Sequence, residues 1–125
     1  TLLASVRGEI DLDALISDRL ARQTRQPAAA ARRGVTSIHF DNESSSRFTI
    51  VDLVAWDRMG LLYSVGRALG ELGANIEFAL ISTRLDVAED VFYINDAQSG
   101  DKFTAEDRLA RVRSALHAAA LADAR

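Results

Sequence analysis

The stretch Trp56-Asp57-Arg58-Met59-Gly60-Leu61-Leu62-Tyr63 joins an apolar strand pattern to an amphipathic helix pattern through a glycine-bearing turn. The first turn of a helix carries N–H groups with no intrahelical acceptor and a partial positive charge. Such a terminus holds a carboxylate, a phosphate or an amide oxygen without any dedicated basic side chain. The chemistry expected here is recognition of a small polar molecule. Groups for bond-making chemistry are not assembled in the same way. His39 and His117 lie far apart in the chain, and neither has a neighbour suited to general-base work or to holding a metal. Ser44-Ser45-Ser46 has no histidine at a recognisable spacing and reads as a hairpin loop rather than a nucleophile. Glu89, Asp90, Asp96 and Asp101 alternate in direction along a strand, so a solvated edge is expected rather than a cation site. Arg108, Arg111 and Arg113 form no continuous helical face and are expected to serve solvation, with local pairing to Glu106 or Asp107. No catalytic residue, metal site or cofactor is expected in this fragment.

The elements that must position the turn are legible in the apolar periodicity. Val35–Phe40 and Phe48–Ala55 read as two strands around the polar loop Asp41–Ser46. After the glycine turn, Leu61, Leu62, Val65, Leu69 and Leu72 fall on one helical stripe, and Gly73 stops the helix. Asn75–Thr83 and Ala88–Ile94 read as two more strands around a short turn near Leu85-Asp86. A last helix is expected, with Thr104 as its cap and Ala105, Leu109, Val112 and Leu116 as its buried stripe. The order ββαββα is a permutation of a ferredoxin-like α+β sandwich with its extra strand first. It predicts a four-stranded antiparallel sheet with both helices on one face. If Val51 and Leu53 point to the helices, then Phe48, Ile50 and Val54 point away, with Val91 and Tyr93. That face is either an association surface or one partly covered by the N-terminal segment.

Ahead of this unit, residues 1–22 read as a helical segment belonging to a preceding domain. Residues 23–34, with Pro27, an alanine run and Arg32-Arg33, read as a linker that alanine would allow to be partly helical. The domain itself is expected to span residues 35–125. At 125 residues, 48% hydrophobic and 26% charged, the composition is that of one globular core with an appendage. A formal net charge of −3 gives no basic footprint for nucleic acid. The absence of cysteine excludes disulfides and thiolate chemistry. No apolar run approaches the roughly 20 residues that span a bilayer, and a cytoplasmic location is expected. A start at Thr1 suggests a piece of something longer.

Asp57-Arg58-Met59-Gly60-Leu61-Leu62, followed after one helix by Gly73-Ala74-Asn75-Ile76, resembles the ACT domains, small ligand-sensing modules of amino-acid metabolism. Their usual turn is Asp-Arg-Pro-Gly-Leu-Leu, and Met59 stands here in place of the proline, losing some stiffness in the turn. Phe40-Asp41-Asn42-Glu43-Ser44-Ser45, the Asp57 turn and Asp90-Val91-Phe92-Tyr93-Ile94-Asn95-Asp96 together are similar to the C-terminal ACT domain of bacterial PII uridylyltransferase/uridylyl-removing enzymes. Arg7-Gly8-Glu9-Ile10-Asp11-Leu12 and the arginine-bearing linker resemble the join between the tandem ACT domains of that family. The resemblance implies a sensor of glutamine that governs uridylylation and deuridylylation of the nitrogen signalling protein PII. It also implies that the catalytic motifs lie in other domains.

By the same resemblance, ligand would sit between the turn and the start of the next strand, usually against a neighbouring ACT domain. The candidate binding residues are Asp57, Arg58, Met59, Gly60, Leu61, Leu62, Asn75 and Ile76. Backbone N–H groups around Gly60, Leu61 and Leu62 would receive an α-carboxylate, Asp57 an ammonium, and Asn75 a side-chain amide. The plain structural alternative has Asp57 capping the helix, Gly60 serving close packing and Asn75 in a positive-φ conformation. Arg58 is expected on the surface or at an interface. The expected partners are an amino acid and adjacent ACT or catalytic domains. A ligand-free dimerisation or interdomain scaffold, including a homodimer through the apolar sheet face, is the competing reading.

Overall fold

Alternating apolar residues give strands, and heptad-like stripes between them give helices, in the order set by the chain. A computed structural model describes residues 25–121. The elements are α1 (Arg25–Arg32), β1 (Ser37–Asp41), β2 (Thr49–Trp56), α2 (Leu61–Glu71), β3 (Ala74–Leu80), β4 (Thr83–Arg84), β5 (Val87–Asp96) and α3 (Glu106–Leu121). The segment 1–22 expected to be helical lies outside the described residues.

From β1 onward the permuted ferredoxin-like α+β arrangement is present. The sheet runs β1-β2-β5-β3, all antiparallel, and the extra N-terminal strand pairs with β2 on the edge that the permutation requires. One strand is additional to the four expected: two-residue β4 pairs with β5 through a tight hairpin whose corner residues, Leu85 and Asp86, have φ of 51° and 66°. The register of β3 on β5 shifts between Ile76 and Phe78, a bulge at Glu77. That bulge reverses the side-chain alternation, so Ile76 packs with the helix-side core while Phe78 packs on the opposite face.

Helices α2 and α3 share the core on one face, where Leu61, Val65, Leu69, Val112 and Leu116 meet Val51, Leu53, Phe92 and Ile94. Leu62, expected on that stripe, is about half exposed, because it sits a full position round from Leu61 on a one-sided helix. Ala105 is likewise exposed, and α3 begins at Glu106 with the Ala105 carbonyl accepting the Leu109 N–H at 3.0 Å, one residue past the expected Thr104 cap. At the far end of α2 the Gly73 φ of 78° ends the helix as expected.

On the opposite face, Phe48, Phe78 and Tyr93 meet edge to face with ring centroids 5.8–6.2 Å apart. The stretch read as linker is helical over Arg25–Arg32, and its Ala28 and Ala31 pack on Val54 and Val87 of that face. Phe48, Ile50, Val91 and Tyr93 are all buried within the chain. Of the two alternatives expected for this face, cover by the segment ahead of β1 is seen at its Val54–Val87 end.

Candidate functional site

The turn after β2 is built from the backbone outward. The Asp57 N–H donates to the Asp86 carbonyl at 2.8 Å, tying the turn to the β4–β5 corner. The Arg58 carbonyl accepts the Leu61 N–H at 3.2 Å, and Gly60, at φ 82° and ψ 1°, turns the chain into α2. This left-handed conformation is what requires glycine at position 60. The Gly60 carbonyl accepts the Ser64 N–H at 2.9 Å, and no side chain caps the helix. Asp57 therefore does not play the capping role that the plain structural alternative gave it. The N–H groups of Leu62 and Tyr63 have no acceptor among the described residues.

Arg58 is part-buried and anchored rather than simply solvated. Its Nε donates to the Ala120 carbonyl at 3.0 Å, its Nη2 to the Ala119 carbonyl, and its Nη1 to the Met59 carbonyl at 3.2 Å. It caps the C-terminus of α3, where a cation meets the negative end of the helix dipole. Met59, in the position where proline is usual, is 85% exposed, and Leu61 is in the core. Around them stand the exposed side chains of Trp56, Leu62, Tyr63, Ile81 and Leu85.

Asn75 and Ile76 are not beside this turn. Trp56 pairs with Val87 in β5, whereas Asn75 pairs with Asn95, eight residues further along the same strand, or roughly 27 Å at strand rise. The reason is chain direction: α2 carries the chain from one end of the sheet to the other before β3 starts. Asn75 Nδ2 donates to Asn95 Oδ1 at 3.0 Å and sits 3.4 Å from Glu77 Oε1. It lies within β3 rather than in the positive-φ conformation of the structural alternative. Within one chain, Asp57, Arg58, Met59, Gly60, Leu61 and Leu62 are brought together, and Asn75 and Ile76 stand apart from them.

Beneath the turn lies a group that the sequence reading placed on a solvated edge. β5 is a central strand, so Glu89 and Asp90 are buried, 4% and 2% exposed. Glu89 pairs with Arg84 at 3.0 Å on the far face. Asp90 lies opposite Leu53 and shares its helix-side orientation. Its Oδ1 accepts the Ser82 N–H at 3.3 Å. Burial pushes the Asp90 carboxyl up to about 6, with the negative charges of Asp57 and Glu89 adding to the rise and the Ser82 N–H opposing it. The available signal was the flanking sequence: an acid run straight into Val91-Phe92-Tyr93-Ile94, on the strand expected between two others, must share their burial. No group of three metal-binding side chains occurs among the described residues.

The arginines of α3 also depart from a solvation role. Arg108 bonds Asp96 at 2.5 Å and stacks over Phe103, and Arg113 donates to the Ile38 carbonyl at 2.6 Å. Only Arg111 makes the local pair expected, with Asp107 at 3.7 Å. Arg108 and Arg113 fasten α3 to the sheet.

Comparison with known proteins finds relatives named bifunctional uridylyltransferase/uridylyl-removing enzyme. The Erythrobacter litoralis protein is 40% identical over 110 residues, covering 88% of this chain and 11% of the relative. The Bradyrhizobium diazoefficiens protein is 34% identical over 112 residues, with 82% and 12% covered. The Azospirillum brasilense protein is 44% identical over 76 residues, with 61% and 8% covered. The chain spans only about a tenth of the length of the curated relatives it matches. No protein-family model and no solved structure matches it. Among the described residues, no helix is long and apolar enough to cross a membrane.

Proposed function

We propose that this chain, a segment of the bifunctional uridylyltransferase/uridylyl-removing enzyme family, is a regulatory ACT domain that senses an amino acid, glutamine in the first instance. In this reading it controls uridylylation and deuridylylation of PII by the catalytic domains of its parent enzyme in the cytoplasm. The observation that carries the reading is the start of α2: Gly60 delivers a helix terminus with two open N–H donors, beside Asp57, and leaves it without a side-chain cap. An α-carboxylate matches those donors. Occupancy would reach the rest of the enzyme only through a difference in affinity between two domain arrangements. Arg58 offers one physical link, because it joins the turn to the end of α3.

A ligand-free interaction module is the second reading. The exposed apolar side chains that favour it are Trp56, Met59, Leu62, Tyr63, Ile81 and Leu85 at the turn end, rather than the buried sheet face. Calorimetry with glutamine, and glutamate as control, separates the two. The experiment uses this chain and a longer stretch of the parent protein that includes the preceding ACT domain. Binding by the chain places a whole site within it or its self-pair. Binding only by the longer protein places the site at a domain junction. Binding by neither supports the scaffold.

A further inference from the structure

The side of the sheet away from α2 and α3 is more deeply buried than its described cover explains. Phe48, Ile50, Val91 and Tyr93 are 5, 1, 0 and 5% exposed, and with Leu80 and Phe78 they form a cluster of their own. α1 reaches only the neighbouring cluster, where Ala28 and Ala31 meet Val54 and Val87. Arg47 lies 5.3 Å from the centre of the Phe48 ring and shields one margin. An uncovered sheet face leaves its side chains open to water on their outer side, so burial to this degree within a single chain requires a further layer. Of the chain outside residues 25–121, only residues 1–24 are long enough to supply one. Within them Leu12, Leu15, Ile16 and Leu20 repeat at helical spacing as one apolar stripe. Leu20 stands five positions before Arg25, the first residue of α1, which at full extension is about 18 Å of chain. Because α1 already sits on this face, the stripe is tethered beside it. The sizes agree as well: residues 11–22 as a helix rise about 18 Å, and Phe48 to Val54 along β2 spans about 20 Å.

We propose that residues 11–22 dock as a helix along this face, with their apolar stripe on the Phe48–Phe78–Tyr93 ring cluster, and so belong to this domain rather than to the one before it. The join between the two domains is then a strap fixed to the back of the sheet. A displacement of whatever precedes the chain is passed to β2 and β5, the strands that end and begin beside the Asp57 turn and the Leu85-Asp86 corner. With the strap in place the sheet offers no open apolar face to a second copy, and association falls to other surfaces.

The test is magnetic resonance on the full chain, read through proton–proton cross-peaks between the Leu15 and Ile16 methyl groups and the rings of Phe48, Phe78 and Tyr93. A sample mixing labelled with unlabelled chains separates contacts within one molecule from contacts between two. Wild type should show these cross-peaks within one molecule. The double variant Leu15→Asp/Ile16→Asp should lower the melting temperature by about 5 °C or more and move the ring resonances, as expected for charge placed in an apolar contact. Ala14→Asp, on the opposite side of the same helix, should leave both in place. Cross-peaks found only between chains would assign the face to a second copy and overturn the proposal. Absence of any cross-peak from residues 11–22 to the rings would overturn it on wild type alone, whether or not the double variant folds. An unchanged melting temperature in the double variant, or an equal loss in Ala14→Asp, would overturn it as well.

Discussion

Two carboxylates on β5, six residues apart, mark opposite ends of the sheet and behave in opposite ways. At the end away from the turn, Asp96 accepts the N–H groups of Gln98 and Ser99 at 2.8 and 2.9 Å and pairs with Arg108 at 2.5 Å. The N–H groups and that guanidinium hold its carboxyl well below the usual range, at about 2. At the turn end Asp90 has one donor at 3.3 Å, negative neighbours and a carboxyl pushed up to about 6. The Asp96 end also carries the Asn75–Asn95 side-chain bond and the Lys102 Nζ bonds to the Asn42 and Ser45 carbonyls at 2.7 and 3.0 Å. The turn end carries open donors and exposed apolar side chains. A saturated end stabilises, and an unsaturated end is where binding chemistry has room to act.

The sharpest way to break this contrast is stability against pH in matched variants. The raised Asp90 pKa means that the folded state prefers its acid form, so its contribution falls as pH rises from about 4 through about 6. Asp90→Asn should therefore stabilise the chain at pH 7.5 by something on the order of 2 kcal/mol, with the gain vanishing below pH 4. Thermal unfolding across that range checks it, and a loss of stability at pH 7.5 would mean that Asp90 is a structural anchor. Asp96 has the opposite sign: its depressed pKa contributes stability above the unfolded value near 4, lost as pH falls towards 2. Asp96→Asn should flatten that acid limb and leave the neutral-to-alkaline trend unchanged.

Smaller effects sharpen the turn itself. Gly60→Ala forces a side chain into a left-handed conformation and should cost about 1 kcal/mol in urea unfolding. A cost near zero would mean that the turn relaxes to another geometry. Arg58→Ala removes the cap on α3 and should cost about 1 kcal/mol as well, with loss of helical signal confined to the end of that helix. An unchanged α3 would break the link between turn and helix end on which signal transmission depends.

Much of the fold was legible because each strand and helix announces itself in local apolar spacing, and because Gly60 and Gly73 stand where positive φ is needed. The far-face orientation of Phe48, Ile50, Val54, Val91 and Tyr93 followed from period two alone. What was not legible depends on partners distant in sequence. Arg58, Arg108 and Arg113 look like solvated charges until α3 lies across the sheet. Short β4 has too few residues to carry a pattern, and α1 hides in an alanine run whose packing partners, Val54 and Val87, are distant in sequence. The separation of Asn75 from the turn within one chain follows from chain direction, which an 11-residue helix between them already implies: roughly 16 Å of rise separates its ends. Asp90 was missed because its acidity outweighed its place on a central strand.

The most direct measurement is amide-resolved magnetic resonance of the chain during titration with glutamine. The account predicts that the Leu62 and Tyr63 amide resonances move with one saturable binding curve while those of Asn75 and Asn95 stay in place. Shifts confined to the Asn75–Asn95 end, or an unmoved start of α2 at saturating ligand, would contradict it.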